Sequence, residues 1–188
     1  MRQLLFLLAL MGTLGFARAA ETSAAKTNNV TIGMPGTLEI VTPPDWTLSY
    51  TNLNLADRPV TFELHSASNT VVIRFYVRWD GFTGVARNPT EADMGKIVSN
   101  NIVTQYLPVA VEKHFALEKF HGPTVAGIFG RITDSTWSPV VKDTYPNLVE
   151  GMFRCGNLWG NFNILTFGKN GASFKEALKV LESMRRKP

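Results

Sequence analysis

The chain has 188 residues, 45% of them hydrophobic, with 19 basic and 15 acidic side chains, a formal net charge of +4 and a single cysteine. That length suits one domain with a sizeable core, and one cysteine excludes an intrachain disulfide. The basic excess is small and has no aromatic-interleaved basic stripe, so nucleic acid is excluded as the expected partner.

The chain opens MRQLLFLLALMGTLGFARAAET, with Arg2 as a positive start, an apolar run from Leu4 to Phe16, and Ala17-Arg18-Ala19 as an A-x-A cleavage signal. This is the pattern of a secretory signal peptide over residues 1–19. The apolar run falls short of the about 20 residues that a membrane-spanning helix needs, and no cysteine near the cut offers a lipid anchor. The expectation is a periplasmic or secreted protein with no stable membrane anchor after cleavage near Ala19. Cleavage would remove Arg2 and Arg18 and no acids, leaving 17 basic against 15 acidic residues and a net charge of +2.

Residues 20–29, AETSAAKTNN, are small and polar and read as a flexible lead-in to a single domain over 30–188. Strand patterns follow at Thr37 to Val41 and Trp46 to Tyr50, parted by Pro43-Pro44-Asp45, which cannot continue a ladder. Val60 to Leu64 and Val71 to Trp79 make a second pair. In the latter, Val71, Ile73, Phe75, Val77 and Trp79 alternate with Arg74, Tyr76 and Arg78, so one face is core and the other is not. Thr90 caps a helix predicted over 90–107, with Glu91 and Asp93 at its positive end, Met94, Ile97, Val98 and Val103 as its apolar stripe, and Pro108 as its stop. Phe115 to Phe120 and Thr124 to Thr133 read as strands. An irregular stretch from Ser135 to Asn147 carries Trp137, Val140 and Tyr145. Ser173 and Glu176 form a capping box opening a last helix, whose stripe is Phe174, Ala177, Leu178, Leu181 and Met184. Lys175, Lys179, Arg185, Arg186 and Lys187 gather at that helix, where cations suit the negative end of its dipole.

Between these lies the most informative stretch, GMFRCGNLWGN at 151–161. Gly156-Asn157 is a two-residue hairpin loop in which glycine supplies the positive φ of a primed turn. Closing the hairpin there sets Cys155 opposite Leu158, Phe153 opposite Gly160, Gly151 opposite Phe162 and Val149 opposite Ile164, an apolar face throughout. The other face pairs Arg154 with Trp159, Met152 with Asn161 and Glu150 with Asn163. A slip of one residue would reverse the faces, so the pattern sets the register. Cys155 therefore points inward, as inert wall material rather than a nucleophile.

The order of a β-rich half with PPDW, a helix, further strands, then LVEGMFRCGNLWGNFNILTFG followed by SFKEALKVLESMRR resembles the PsbP-like family over most of residues 30–186. The resemblance implies an α+β domain, an antiparallel sheet layered with helices as an α/β/α sandwich. It also implies a mostly non-catalytic adaptor role, with no family-wide catalytic residue to carry over.

The chemistry-bearing residues point the same way. His65, His114 and His121 fall in three different segments without metal-ligand spacing, so no metal is expected. Asp134, Ser135 and His121 lack the G-x-S-x-G elbow of a hydrolase. No phosphate loop and no carboxylate pair is evident, and no cofactor is expected. The reading is a non-enzymatic exported binding or accessory protein acting through a protein partner, toxin neutralisation being one form. The alternative is a periplasmic hydrolase or small-ligand carrier. If strands 71–79 and 149–155 share a sheet, then Arg74, Tyr76, Arg78, Arg154, Trp159 and Asn161 share its non-core face, suited to an acidic segment. Trp137 and Tyr145 are the second candidate contact, as aromatic residues on a loop.

Overall fold

The computed structural model describes residues 24–33, 36–52, 59–79, 88–140, 144–168 and 171–188. Strands β1 (Lys26–Thr31), β2 (Thr37–Thr42), β3 (Thr47–Asn52), β4 (Val60–His65) and β5 (Val71–Trp79) lead to helix α1 (Glu91–Asn101). Strands β6 (Leu117–His121), β7 (Val125–Thr133), β8 (Asn147–Cys155) and β9 (Leu158–Thr166) lead to helix α2 (Ala172–Glu182) and a short β10 (Arg185–Lys187). Seven strands form one sheet in the order β3-β4-β5-β9-β8-β7-β6, and β1-β2-β10 form another. Every pairing is antiparallel. The class is α+β.

Alternation decides which face each strand buries. In β5, Val71, Ile73, Phe75 and Val77 are buried while Arg74 and Tyr76 are exposed. The buried set joins Val30, Leu38 and Ile40 of the small sheet and Phe174, Ala177, Val180 and Leu181 of α2 in the main core. Rings fill much of that core: Phe62 stacks on Phe75 at 4.7 Å, and Phe120 meets Phe162 edge-on at 5.7 Å. A smaller core lies on the opposite face, where Met94, Val98 and Ile102 cover Ile128, Ile132, Met152 and Trp159. The layers are thus α1, the large sheet, and then α2 with the small sheet.

The terminal hairpin pairs as its pattern requires, with Cys155 opposite Leu158, Phe153 opposite Gly160 and Gly151 opposite Phe162. Gly156 takes a positive φ of 63° in the turn, the conformation glycine adopts without a Cβ penalty. Cys155 is 0% exposed. Its Sγ donates to the Met184 carbonyl at 3.8 Å, and burial pushes the thiol pKa up.

Four sequence expectations need correction. The lead-in ends sooner: residues 20–23 lie outside the described residues, but Lys26–Thr31 is strand β1, pairing β2 along its whole length. Its polar composition hid it, because an edge strand needs few apolar anchors: Val30 is buried, and Asn28 is satisfied by donating to Thr42 Oγ1 at 2.9 Å. The first helix is not one α-helix over 90–107. α1 ends at Asn101, a π-helical turn spans Ile102–Tyr106, and Leu107–Val109 is a 3-10 turn that contains Pro108. Its buried line is Met94, Val98 and Ile102, a strict i, i+4 series on one face, and Val103 is 50% exposed. Thr90 does cap α1, accepting from the Asp93 N–H, with Asp93 returning the bond.

At the C-terminus, α2 is capped by Gly171 without a side-chain bond, and Ser173 sits inside the helix. The basic run Arg185–Lys187 leaves the helix to become β10 against β2, where Lys187 pairs with Glu39. Ser183 makes the join, its Oγ accepting from the Val41 N–H at 2.9 Å.

Two outcomes test this packing. Cys155 should react slowly with a thiol reagent in the native protein and fast after denaturation, and Cys155→Ser should cost about 1–3 kcal/mol by burying a hydroxyl. Gly151→Ala should cost at least as much, since a Cβ there would lie 2.2 Å from the Phe162 ring. Urea denaturation should show a lower midpoint for both with the slope unchanged.

Candidate functional site

Because paired residues on adjacent antiparallel strands point to one side, the register assembles the α1-side face row by row. One row runs Ile128, Met152, Asn161, Tyr76 and Thr61, and the next runs Gly130, Glu150, Asn163, Arg74 and Glu63. Helix α1 packs over β7 and β8. Apart from Trp159, which joins the core under α1, the half formed by β9, β5 and β4 is left open to solvent and carries most of the polar residues.

All six predicted face residues lie on this side, but not as one surface. Arg74 Nε donates to Glu63 Oε1 at 2.6 Å, and the other oxygen of Glu63 lies 2.9 Å from His65 Nε2. Tyr76 is 37% exposed. Arg78 is half-buried, its Nη1 donating to Asn161 Oδ1 at 3.2 Å while its guanidinium lies 5.6 Å from the centre of the Trp159 ring. Burial lowers the Arg78 pKa. Trp159 itself is only 5% exposed, within the core under α1. The expectation of Trp159 as a contact anchor therefore needs correction: its ring supports Arg78 from below. Arg154 is exposed, near the hairpin turn and away from Arg74.

Trp137 and Tyr145 lie elsewhere, at the opposite end of the sheet. Both pack on Phe167, with ring centres at 6.2 and 5.1 Å, and Tyr145 Oη donates to the Asn69 carbonyl at 2.9 Å. Phe167, 51% exposed, was not foreseen, because it follows the last strand residue and breaks no pattern.

The residue that sequence reasoning missed most clearly is Glu150. It is buried on the α1 side, at the border between the covered and open halves. Asn101 Nδ2 donates to its Oε1 at 2.9 Å, and Asn163 Nδ2 donates to its Oε2. Burial raises its pKa, and hydrogen bonds from Asn101, Asn163 and Asn161 draw it partly back. Tyr106, in the π-helical turn, is half-buried nearby, and its phenol pKa is raised by burial first and then by the Glu150 charge. In sequence, Glu150 looked like one more residue of a mixed face. Only the landing point of α1 buries it.

Other candidate groups stay apart. His65, on β4, and His121, on β6, sit in opposite edge regions of the large sheet, and His114 is exposed in the loop before β6. Among the described residues no three His, Cys, Asp or Glu side chains converge as metal ligands. Ser135 Oγ donates to the Val109 carbonyl at 2.7 Å and Asp134 Oδ1 accepts from Thr136. His121 pairs with Ala126, at the other end of β7 from these two, so they form no triad.

Glu150 makes stability depend on pH. A carboxyl whose folded pKa lies above its ordinary value adds stability that is complete at lower pH and lost as pH rises through the folded pKa. The loss should begin above the ordinary value of 4.5. Glu150→Gln should lack it, so the Tm of the native chain minus that of the variant should shrink as pH rises above the ordinary carboxyl value. A gap that grows with pH would contradict the assignment.

No family model and no curated protein matches the chain. Among solved structures, the chain is similar to the solution structure of cyanobacterial PsbP (CyanoP) from Synechocystis sp. PCC 6803, at 11% identity and a TM-score of 0.52, over 94% of this chain and 100% of that one. Among the described residues no helix is long and apolar enough to cross a membrane. The layered helices and antiparallel sheets of this chain make the PsbP-like fold.

Proposed function

We propose that the protein is an exported, non-enzymatic binding or accessory protein that acts through a protein partner, and that the open half of the large sheet is its contact surface. The observation that carries this reading is the spread of Arg74, Tyr76, Arg78 and Asn161 over the β5–β9 surface. The cleft beside them, lined by Thr61, Glu63, Arg74 and Tyr76, is small at about 150 Å³. Drug-sized ligands take pockets of about 300–1,000 Å³. Arginine and tyrosine are instead the groups enriched where proteins meet. Neutralisation of an exported toxin is one form such a role takes.

Export rests on the first 19 residues, with their Arg2 start, apolar run and Ala17-Arg18-Ala19. A second reading, a hydrolase or a carrier of a small ligand, draws on one observation, the buried Glu150 among three asparagines.

The test is affinity capture of the tagged protein from the periplasm, comparing the native chain with the double variant Arg74→Ala, Tyr76→Ala. Arg74 is exposed and its partner Glu63 half-buried, and pairs of this surface kind contribute about 0–1 kcal/mol, so the variant should fold. Its expected result is loss of the copurifying partner at nearly native Tm. Unaltered recovery would remove this surface from consideration. N-terminal sequencing of the captured protein should begin at Ala20 or Glu21, and a Met1 start would overturn export.

A further inference from the structure

The row of the large sheet nearest the β8–β9 turn, on the α1 side, runs His121, Ala126, Arg154, Trp159 and Arg78 through successive cross-strand pairs. Ala126 leaves a low floor between two long side chains. His121 and Arg154 flank it from strands two spacings apart, about 10 Å, and both are exposed. Above them opens a groove of about 530 Å³, which Asn88, Thr124 and Gly156 also line.

The groove is held in shape by bonds that do not involve the side chains of His121 and Arg154. Asn88 Nδ2 donates to the Gly156 carbonyl at 2.8 Å. On the other side, the Gly122 N–H donates to the Val125 carbonyl at 2.8 Å, and Thr124 Oγ1 donates to the Met184 carbonyl at 3.0 Å. A Cβ on Gly122 would lie 1.9 Å from the Glu182 carbonyl oxygen, so the β6–β7 turn rests directly on the end of α2. A preformed site loses little entropy when it is filled.

Arg154 gives the groove a positive charge, and no acidic side chain lines it. The carboxylate that feels both His121 and Arg154 is Glu91, and Lys119 already holds it in an ion pair. Among the described residues no carboxylate lies within ion-pair distance of Arg154. An exposed guanidinium in a rigid groove matches a carboxylate in bidentate fashion.

We infer that this groove binds a carboxylate of an acidic protein segment, with Arg154 as its forked partner and His121 as a second donor across Ala126. The groove volume exceeds what a lone oxyanion fills, which favours a peptide over a small anion. The inference rests on the reading of this chain as a protein-binding module, and it adds a contact apart from the open sheet half, at the hairpin end.

The experiment is an NMR titration of the purified exported protein with a capped hexaglutamate peptide, and separately with inorganic phosphate. Expected are shifts of the backbone amides of His121, Ala126, Arg154 and Gly156, weakening with added salt. Arg154→Ala should weaken binding about ten-fold or more, Arg154→Lys by less because it keeps the charge and loses the fork, and Lys175→Ala on α2 not at all. If Arg154→Ala fails to fold, the lysine variant alone reads the effect. No shift at these amides by roughly 5 mM peptide would overturn the proposal, as would equal weakening by Lys175→Ala or saturation by phosphate where the peptide leaves the groove unchanged. Purified protein and a synthetic peptide make the result independent of partner capture: either can fail while the other stands.

Discussion

The large sheet depends on glycines that make room for phenylalanine rings on its main-core face. Across four adjacent strands, Phe120, Gly127, Phe153 and Gly160 stand side by side, and one row away Phe129, Gly151, Phe162 and Phe75 do the same. A Cβ on Gly127 would sit 2.1 Å from the Phe120 ring, and one on Gly151 2.2 Å from the Phe162 ring. The rings lean into the space that the missing side chains leave, so neighbouring strands approach without a void. At Gly160 the constraint is on backbone, since a Cβ there would meet the Tyr76 carbonyl oxygen at 2.1 Å. Cross-strand register is therefore set twice, by hairpin turn and by ring placement, and every position on the opposite face inherits it.

That inheritance connects core packing with surface chemistry. Residues that alternate with the phenylalanines on β8 and β9 are Glu150, Met152, Arg154, Trp159, Asn161 and Asn163. Their common side follows from the core, but their environments do not. Helix α1 is short, and its i, i+4 line of Met94, Val98 and Ile102 covers β7, β8 and, on β9, Trp159. Met152 and Trp159 become core, Glu150 is enclosed at the border, and Arg74 and Tyr76 remain open. One face is thereby divided into a supported ring, a satisfied buried carboxylate and a solvated surface.

Glu150 shows how such a border is maintained. A buried carboxylate without partners would be costly, and here amide groups from the end of α1 and from β9 satisfy it without a counter-charge. The helix leaves α-geometry immediately after Asn101, entering the π-helical turn that carries Tyr106. π-helical turns within helices are frequent at functional sites. In this fold the turn brings a phenol to the edge of the open half, where burial first and then the neighbouring Glu150 carboxylate raise its pKa.

Much was legible in the sequence wherever period-2 alternation and turn chemistry act locally: the final hairpin and its register, the inward cysteine, the two faces of β5, the Thr90 cap and the α+β class. These features depend on neighbours in the chain, so the chain records them. The burial of Trp159 and Glu150, the gathering of Trp137 and Tyr145 on Phe167, and the groove between His121 and Arg154 depend on strands and helices distant in sequence. So does the fate of the two polar segments. Lys26–Thr31 and Arg185–Lys187 have no apolar period of their own, and each becomes a strand only because β2 offers it an edge. Backbone hydrogen bonding to an edge asks nothing of the side chains, so composition alone carried no sign of it.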